Sequence, residues 1–285
     1  MLPLLYSLAV LILLFLLWWV WSNRRHQKMR IELLDTAAPD SWLEVLHKNV
    51  RFYDVMPERH RKRLHGYMHL FLAEKSFEAC GDLEEVTEEM RVTIAAQACV
   101  LLLNGRNGCY DKLRSILLYP DAYTRKGERY VGDGIFEDDD DQVILGESWE
   151  SGSVVLSWAS VLSGAENDED GQNVVIHEFA HQLDQANGDA DGAPVLADGG
   201  RYGSWSRTMK KAYARHVKRT REGRRTAIDS YGATNPAEFF AVTTETFFEK
   251  PKALSRRYPG VYRELKKFYE LDPVTWRGRS YSDEK

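Results

Sequence analysis

The chain has 285 residues, 38 Lys and Arg against 43 Asp and Glu, and a formal net charge of −5. Charged residues at 28% and hydrophobic residues at 44% are ordinary globular values, so wholesale disorder is excluded. The slightly acidic balance excludes a nucleic-acid binder that works by bulk positive charge, and three cysteines (Cys80, Cys99, Cys109) without a C-x-x-C pair argue against a disulfide scaffold or a cysteine zinc site.

Leu2 to Ser22 contains no charged residue and reads LPLLYSLAVLILLFLLWWVWS. Roughly 20 apolar helical residues span the ~30 Å hydrocarbon core of a bilayer. Trp18, Trp19 and Trp21 sit at the end of the stretch, and Arg24, Arg25, Lys28 and Arg30 follow with no basic residue before it. The pattern predicts one membrane-spanning helix over residues 1–23 in the inner (cytoplasmic) membrane, with the N-terminus outside and the remaining chain in the cytoplasm. A cleaved signal peptide would need a basic start and an A-x-A-like site, and neither is present. Residues 24–39 then read as a juxtamembrane linker.

Residues 40–272 contain no repeat and no long Pro/Ser linker, which predicts one domain. Asp40-Ser41 opens a helix over Trp42–Phe52, with apolar residues at Leu43, Leu46 and Val50. Pro57 opens a second helical stretch, whose basic cluster (Arg59, Arg61, Lys62, Arg63) is simplest as a solvated face, with anionic lipid near the anchor as the alternative. Thr87 with Glu88 and Glu89 starts a helix that is apolar nearly all round and stops at Gly105, so it should be central and buried. Ile116–Tyr119, Val143–Leu145 and Val154–Trp158 are strand candidates, the last a candidate edge for pairing an extended peptide. The acidic run Glu137–Asp141 reads as a solvated loop without the calcium-loop layout. Helices dominate after residue 172, which points to an α+β fold, mostly helical with a small sheet. Residues 273–285 read as a polar C-terminal tail.

Chemistry concentrates in Asn173–Ala186, NVVIHEFAHQLDQA. Ile176, Phe179, Ala180 and Leu183 mark the buried stripe of an amphipathic helix. Beside it lie His177 and His181, one turn apart, able to share one metal ion, and Glu178 can reach a water on that ion without ligating it. Two histidines need a third protein ligand, and zinc in a catalytic site also keeps an open position for water. Asp184 and Asn187 stand where a metzincin would have Gly and His, and His216 sits in the cation-rich stretch KKAYARHVKRTREGRR, a poor place for a dication. The better source is the helix Pro236–Lys250, with Asn235 as N-cap and Pro236 at its first position. Glu238 and Glu245 lie seven residues apart on one side of it, and either could be the third ligand. Glu238 also fits a capping box, while Glu245 or Asp184 could instead orient a ligating histidine.

The segments IHEFAHQLD, GESWESGSVVLSW, AAQACVLLL and NPAEFFAVTTETFFEKP together resemble the Mlc titration factor A (DgsA anti-repressor) family of zinc-dependent peptidases, similar in catalytic core to the anthrax lethal factor metallopeptidase domain. The resemblance covers roughly residues 40–272. It implies a zincin-like metallopeptidase fold, one zinc ion, and an aminopeptidase-like activity on a peptide or protein substrate. It further implies that Glu238 is the third metal ligand beside His177 and His181, that Glu178 is the general base, and that Tyr231, in DSYGATNPAE, donates to a developing oxyanion. Better-known members are soluble cytoplasmic proteins, and the expected anchor over residues 2–22 sets this chain apart. The family's other role is binding the transcriptional repressor Mlc, so the alternative expectation is a regulatory protein that sequesters a cytosolic repressor, with no direct contact to nucleic acid.

Overall fold

The computed structural model describes residues 2–105, 108–121, 123–131, 134–144, 146–149, 152–166 and 171–278, with side chains from Leu11 to Trp276 except within 122–151 and at Glu166. In chain order, α1 (Leu2–Leu34), α2 (Asp40–Asn49), α3 (Arg51–Val55) and α4 (Glu58–Glu74) precede β1 (Ser76–Ala79) and α5 (Glu88–Cys99). Then come β2 (Ser115–Tyr119), β3 (Tyr123–Val131), β4 (Gly134–Ile144), β5 (Gly146–Trp149) and β6 (Ser153–Ser157). The rest is helical: α6 (Trp158–Glu166), α7 (Val174–Asp184), α8 (Tyr202–Arg221), α9 (Pro236–Glu249), α10 (Pro251–Arg257) and α11 (Pro259–Tyr269).

Side-chain caps place the starts of α5, α7 and α9. Thr87 caps α5, its hydroxyl accepting the Met90 N–H at 3.3 Å. Every α5 residue from Val92 to Cys99 is buried, as an all-round apolar helix requires. The helix expected over Trp42–Phe52 breaks at Val50 (φ −127°, ψ 82°) into α2 and α3, and Asp40 lies inside the first turn behind Pro39 rather than at the cap.

One mixed sheet runs in the order β1-β2-β6-β5, with β1, β2 and β6 parallel and β5 antiparallel to β6. Residues of β6 are buried from Val154 to Ser157, because both of its edges are paired. The expected edge strand is therefore central, and β5 is an edge of the sheet. The acidic run Glu137–Asp141 is a second correction. It lies within β4, paired antiparallel with β3, because a two-stranded ladder is built from backbone groups and does not depend on apolar side chains. Val143 also lies in β4, whereas Leu145 falls outside the described residues.

The N-terminal segment is a third correction. Among the described residues no helix is long and apolar enough to cross a membrane. Helix α1 is continuous over 33 residues. Charged residues lie within the same helix, and its last turns dock on the domain. Leu33 packs on the core, Arg30 pairs with Glu74 at 3.0 Å, and a Cβ on Gly66 would lie 2.1 Å from the Leu34 carbonyl oxygen. The membrane-spanning helix is thus withdrawn, and with it the single-pass topology, the inner-membrane location and the membrane contact through residues 2–22.

The core joins α4 and α7 through Phe71 and Phe179, with Tyr110 from the loop before β2 packed on both rings, its centroid 4.8 Å from that of Phe179, and its hydroxyl donating to the Ala98 carbonyl of α5 at 2.7 Å. Phe71 and Phe179 are fully buried, each contributing roughly 1.5–3 kcal/mol. The short turn Pro273–Gly278 returns Val274 and Trp276 to this core, and Trp276 is 2% exposed.

Candidate metal centre

Helix α7 begins where the Asn173 carboxamide oxygen accepts the Ile176 N–H at 3.0 Å. Ile176, Phe179, Ala180 and Leu183 are buried, which sets the rotation of the helix about its axis. That rotation brings His177 and His181 together, with Nε2 atoms 3.1 Å apart. Helix α9 is fixed in the same way. Asn235 accepts the Glu238 N–H at 2.9 Å, Pro236 occupies the first turn, and Phe239 and Phe240 are buried. With its amide capped by Asn235, Glu238 turns its carboxylate toward α7. Its Oε2 lies 3.0 Å from His177 Nε2 and 3.4 Å from His181 Nε2.

These three atoms form a triangle that suits a shared cation. Zinc bonds of ~2.0–2.1 Å at tetrahedral angles set ligand atoms about 3.3 Å apart. The three side chains are only 14%, 12% and 16% exposed, and Glu238 Oε2 is buried without a hydrogen-bond partner. Two imidazoles and a carboxylate are a donor set zinc accepts. Electrostatics agree. Burial by itself would raise the Glu238 pKa, but His177 and His181 offset it and hold the carboxylate at about 2. Burial opposes charge on His177, yet Glu238 and then Glu245 outweigh it and lift its pKa well above 6.5. A site that holds a proton on an imidazole this firmly also attracts a dication, which must displace that proton to bind.

Glu245 lies behind the triangle. Its Oε1 is 2.8 Å from His177 Nδ1, and its Oε2 accepts the Asn173 N–H at 2.5 Å. The Nδ1–H donates to the carboxylate, leaving the Nε2 lone pair for an ion, and the same carboxylate ties α9 to the start of α7. Glu245→Ala is expected to weaken zinc binding about 10–100-fold without unfolding the protein, measured by chelator competition and circular dichroism.

The other candidates fall around this group. Glu178 is 5% exposed and sits between the two histidines on α7. Tyr231 is carried by the turn Ser230–Ala233, where Asp229 accepts its N–H at 2.9 Å. Its ring centroid is 5.9 Å from that of His177, its side is open to solvent, and burial followed by the charges of Glu238 and Glu178 raises its phenol pKa. His216 stays apart. It is fully buried and donates from Nε2 to the Asp229 carbonyl at 2.9 Å, so it steadies the turn that carries Tyr231. Asp184 is neither a solvated carboxylate nor hydrogen-bonded to a histidine ring. It is 0% exposed and accepts the Gly192 N–H at 2.8 Å, and burial pushes its pKa up to about 6. Reading the sequence missed Gly192, because its place depends on three helices far apart in the chain.

Two histidines one turn apart, faced by a carboxylate from a second helix, define a metallopeptidase-type centre that could hold a metal ion. The chain belongs to the family described as Glucose-regulated metallo-peptidase M90, whose model matches residues 21–270. It is similar to Mlc titration factor A of Serratia proteamaculans, 31% identical over 262 residues, covering 90% of this chain and 93% of that one. The same-named protein of Escherichia coli O7:K1 is 30% identical over 266 residues, 90% of this chain and 92% of that one. An uncharacterized protein of Synechocystis sp. is 37% identical over 270 residues, 94% of this chain and 98% of that one.

Proposed function

We propose that this protein is a zinc-dependent peptidase of aminopeptidase type, with His177, His181 and Glu238 holding one ion. The observation that carries the reading is the triangle of ligand atoms, with separations of 3.0, 3.1 and 3.4 Å. When bound, zinc supplies a Lewis acid that acidifies water and polarises the scissile carbonyl. Glu178 takes the proton of the attacking water and passes it to the leaving amine. Glu245 keeps the His177 ring in one tautomer and one orientation. Tyr231 donates its phenolic proton to the developing oxyanion from the mouth of the site. The sheet edge at β5 packs against α7 and suits an extended peptide paired alongside the two histidines. Residues 40–272 form the catalytic unit.

The test is metal analysis of the purified protein together with hydrolysis of amino-acid and peptide anilides, with and without chelator. One zinc per chain and chelator-sensitive cleavage are expected; cleavage that survives metal removal overturns the reading. In the same assay Tyr231→Phe is expected to lower kcat about 10²-fold with KM little changed.

A second reading has its own support in the relatives named Mlc titration factor A, which are about 30% identical to this chain over 90% of its length. It makes this protein a regulator that binds a transcriptional repressor. Three candidate ligands rather than four support the catalytic reading among the described residues, because a structural zinc site is closed and a catalytic one keeps a position open.

A further inference from the structure

The two halves of the metal triangle come from different helices, so something must set the distance between α7 and α9. Glu245 does so at one end, through Asn173 and His177. At the other end the link is Gly192. Its N–H donates to Asp184 Oδ2 at 2.8 Å, three residues beyond His181 on α7. Its carbonyl accepts the Trp205 indole N–H from α8 at 3.0 Å. Its backbone has φ +78°, and a Cβ there would lie 2.4 Å from the carbonyl oxygen of Pro236 and 2.9 Å from its carbonyl carbon. Pro236 precedes Glu238 by two residues. A side chain at 192 is therefore opposed twice, by the left-handed backbone and by the first turn of α9. Asp184 is fully buried to make this bond, and Trp205 is 1% exposed.

We propose that Asp184, Gly192 and Trp205 form a positioning clamp that holds the first turn of α9 against the end of α7, and so sets the reach of Glu238 to the two histidines. The inference rests on the zinc reading above. It gives Asp184 a role at one remove from the ion, acting through backbone placement.

The experiment measures the zinc dissociation constant by competition with a chromogenic chelator, beside the melting temperature of the metal-free protein. The unmodified protein must first bind one zinc; if it does not, the zinc reading fails, and the clamp fails with it for lack of an ion to position. Gly192→Ala and Asp184→Ala are expected to weaken zinc binding about 10–100-fold, the range for residues that hold metal ligands in place. Asp184→Asn keeps an oxygen for the Gly192 N–H and is expected to stay within about three-fold of the parent. A role in folding alone would lower the melting temperature of metal-free Asp184→Ala and leave the zinc affinity of its folded state unchanged. Folded Gly192→Ala and Asp184→Ala that bind zinc within two-fold of the parent overturn the clamp. Should either fail to fold, Trp205→Phe decides instead. It removes the indole N–H together with part of the buried ring, so its melting temperature is measured beside its zinc affinity, which is expected to fall several-fold in the folded state; an unchanged affinity overturns the proposal.

Discussion

Glu178→Gln is expected to keep its metal and lose about 10²–10⁴-fold in kcat/KM on peptide anilides, the usual contribution of a positioned general base. The amide matches the carboxylate in size and shape, so the buried site around residue 178, 5% exposed in the native protein, keeps its packing. What changes is proton affinity, because an amide cannot take a proton from water near neutral pH. The loss corresponds to about 3–5 kcal/mol of transition-state stabilisation at 1.36 kcal/mol per decade. Zinc content by elemental analysis and steady-state kinetics on the same preparation check it. A variant with full zinc and the parent rate would remove Glu178 from the chemistry.

Glu238→Ala is expected to do the opposite to the metal. Removing the carboxylate takes away one corner of the triangle, and zinc affinity should fall by well over 100-fold, more than for the supporting residues behind it. Activity should vanish with the ion. The variant should still fold, because the Asn235 cap and the buried Phe239 and Phe240 that build α9 do not use the Glu238 carboxylate. There is a second consequence. Glu238 and Glu245 both keep the His177 pKa raised against burial. Without Glu238 the His177 pKa must drop, so the metal-free variant gives up its proton at lower pH than the metal-free parent. Titration of the histidine ring by NMR measures this, and an unchanged pKa would mean that Glu238 does not face the ring in solution. Glu245→Ala also removes one carboxylate from His177 but leaves all three ligand candidates, so its zinc affinity should fall less.

Local chemistry carried much of the site into the sequence. Asn173 and Asn235 announce the starts of α7 and α9, and each side chain bonds the N–H three residues on. The four-residue spacing of His177 and His181 on an amphipathic helix already implies adjacent rings. Other positions were not legible. Glu238 and Glu245 differ little as sequence, each a glutamate on the same side of one helix. Their separate places follow from the crossing of α7 and α9, which sets one carboxylate at the Nε2 atoms and the other at Nδ1. The strand Val154–Trp158 looks the same as an edge strand or a central one, since pairing is a property of its neighbours.

The N-terminal segment teaches the same lesson with the opposite outcome. A run without charge predicted a membrane span, but the helix it belongs to continues through Arg24, Arg25, Lys28 and Arg30 and seats Leu33 on the domain. Hydropathy describes a segment's own transfer free energy, and docking depends on a partner surface elsewhere in the chain. By itself, then, the sequence determined which residues could bear the chemistry and where their helices begin, because caps and periodicity act over a few residues. Only the tertiary structure decided which glutamate meets the imidazoles, which buried carboxylate clamps Gly192 and which strand lies at the sheet edge, because those distances are set by packing between elements far apart in the chain.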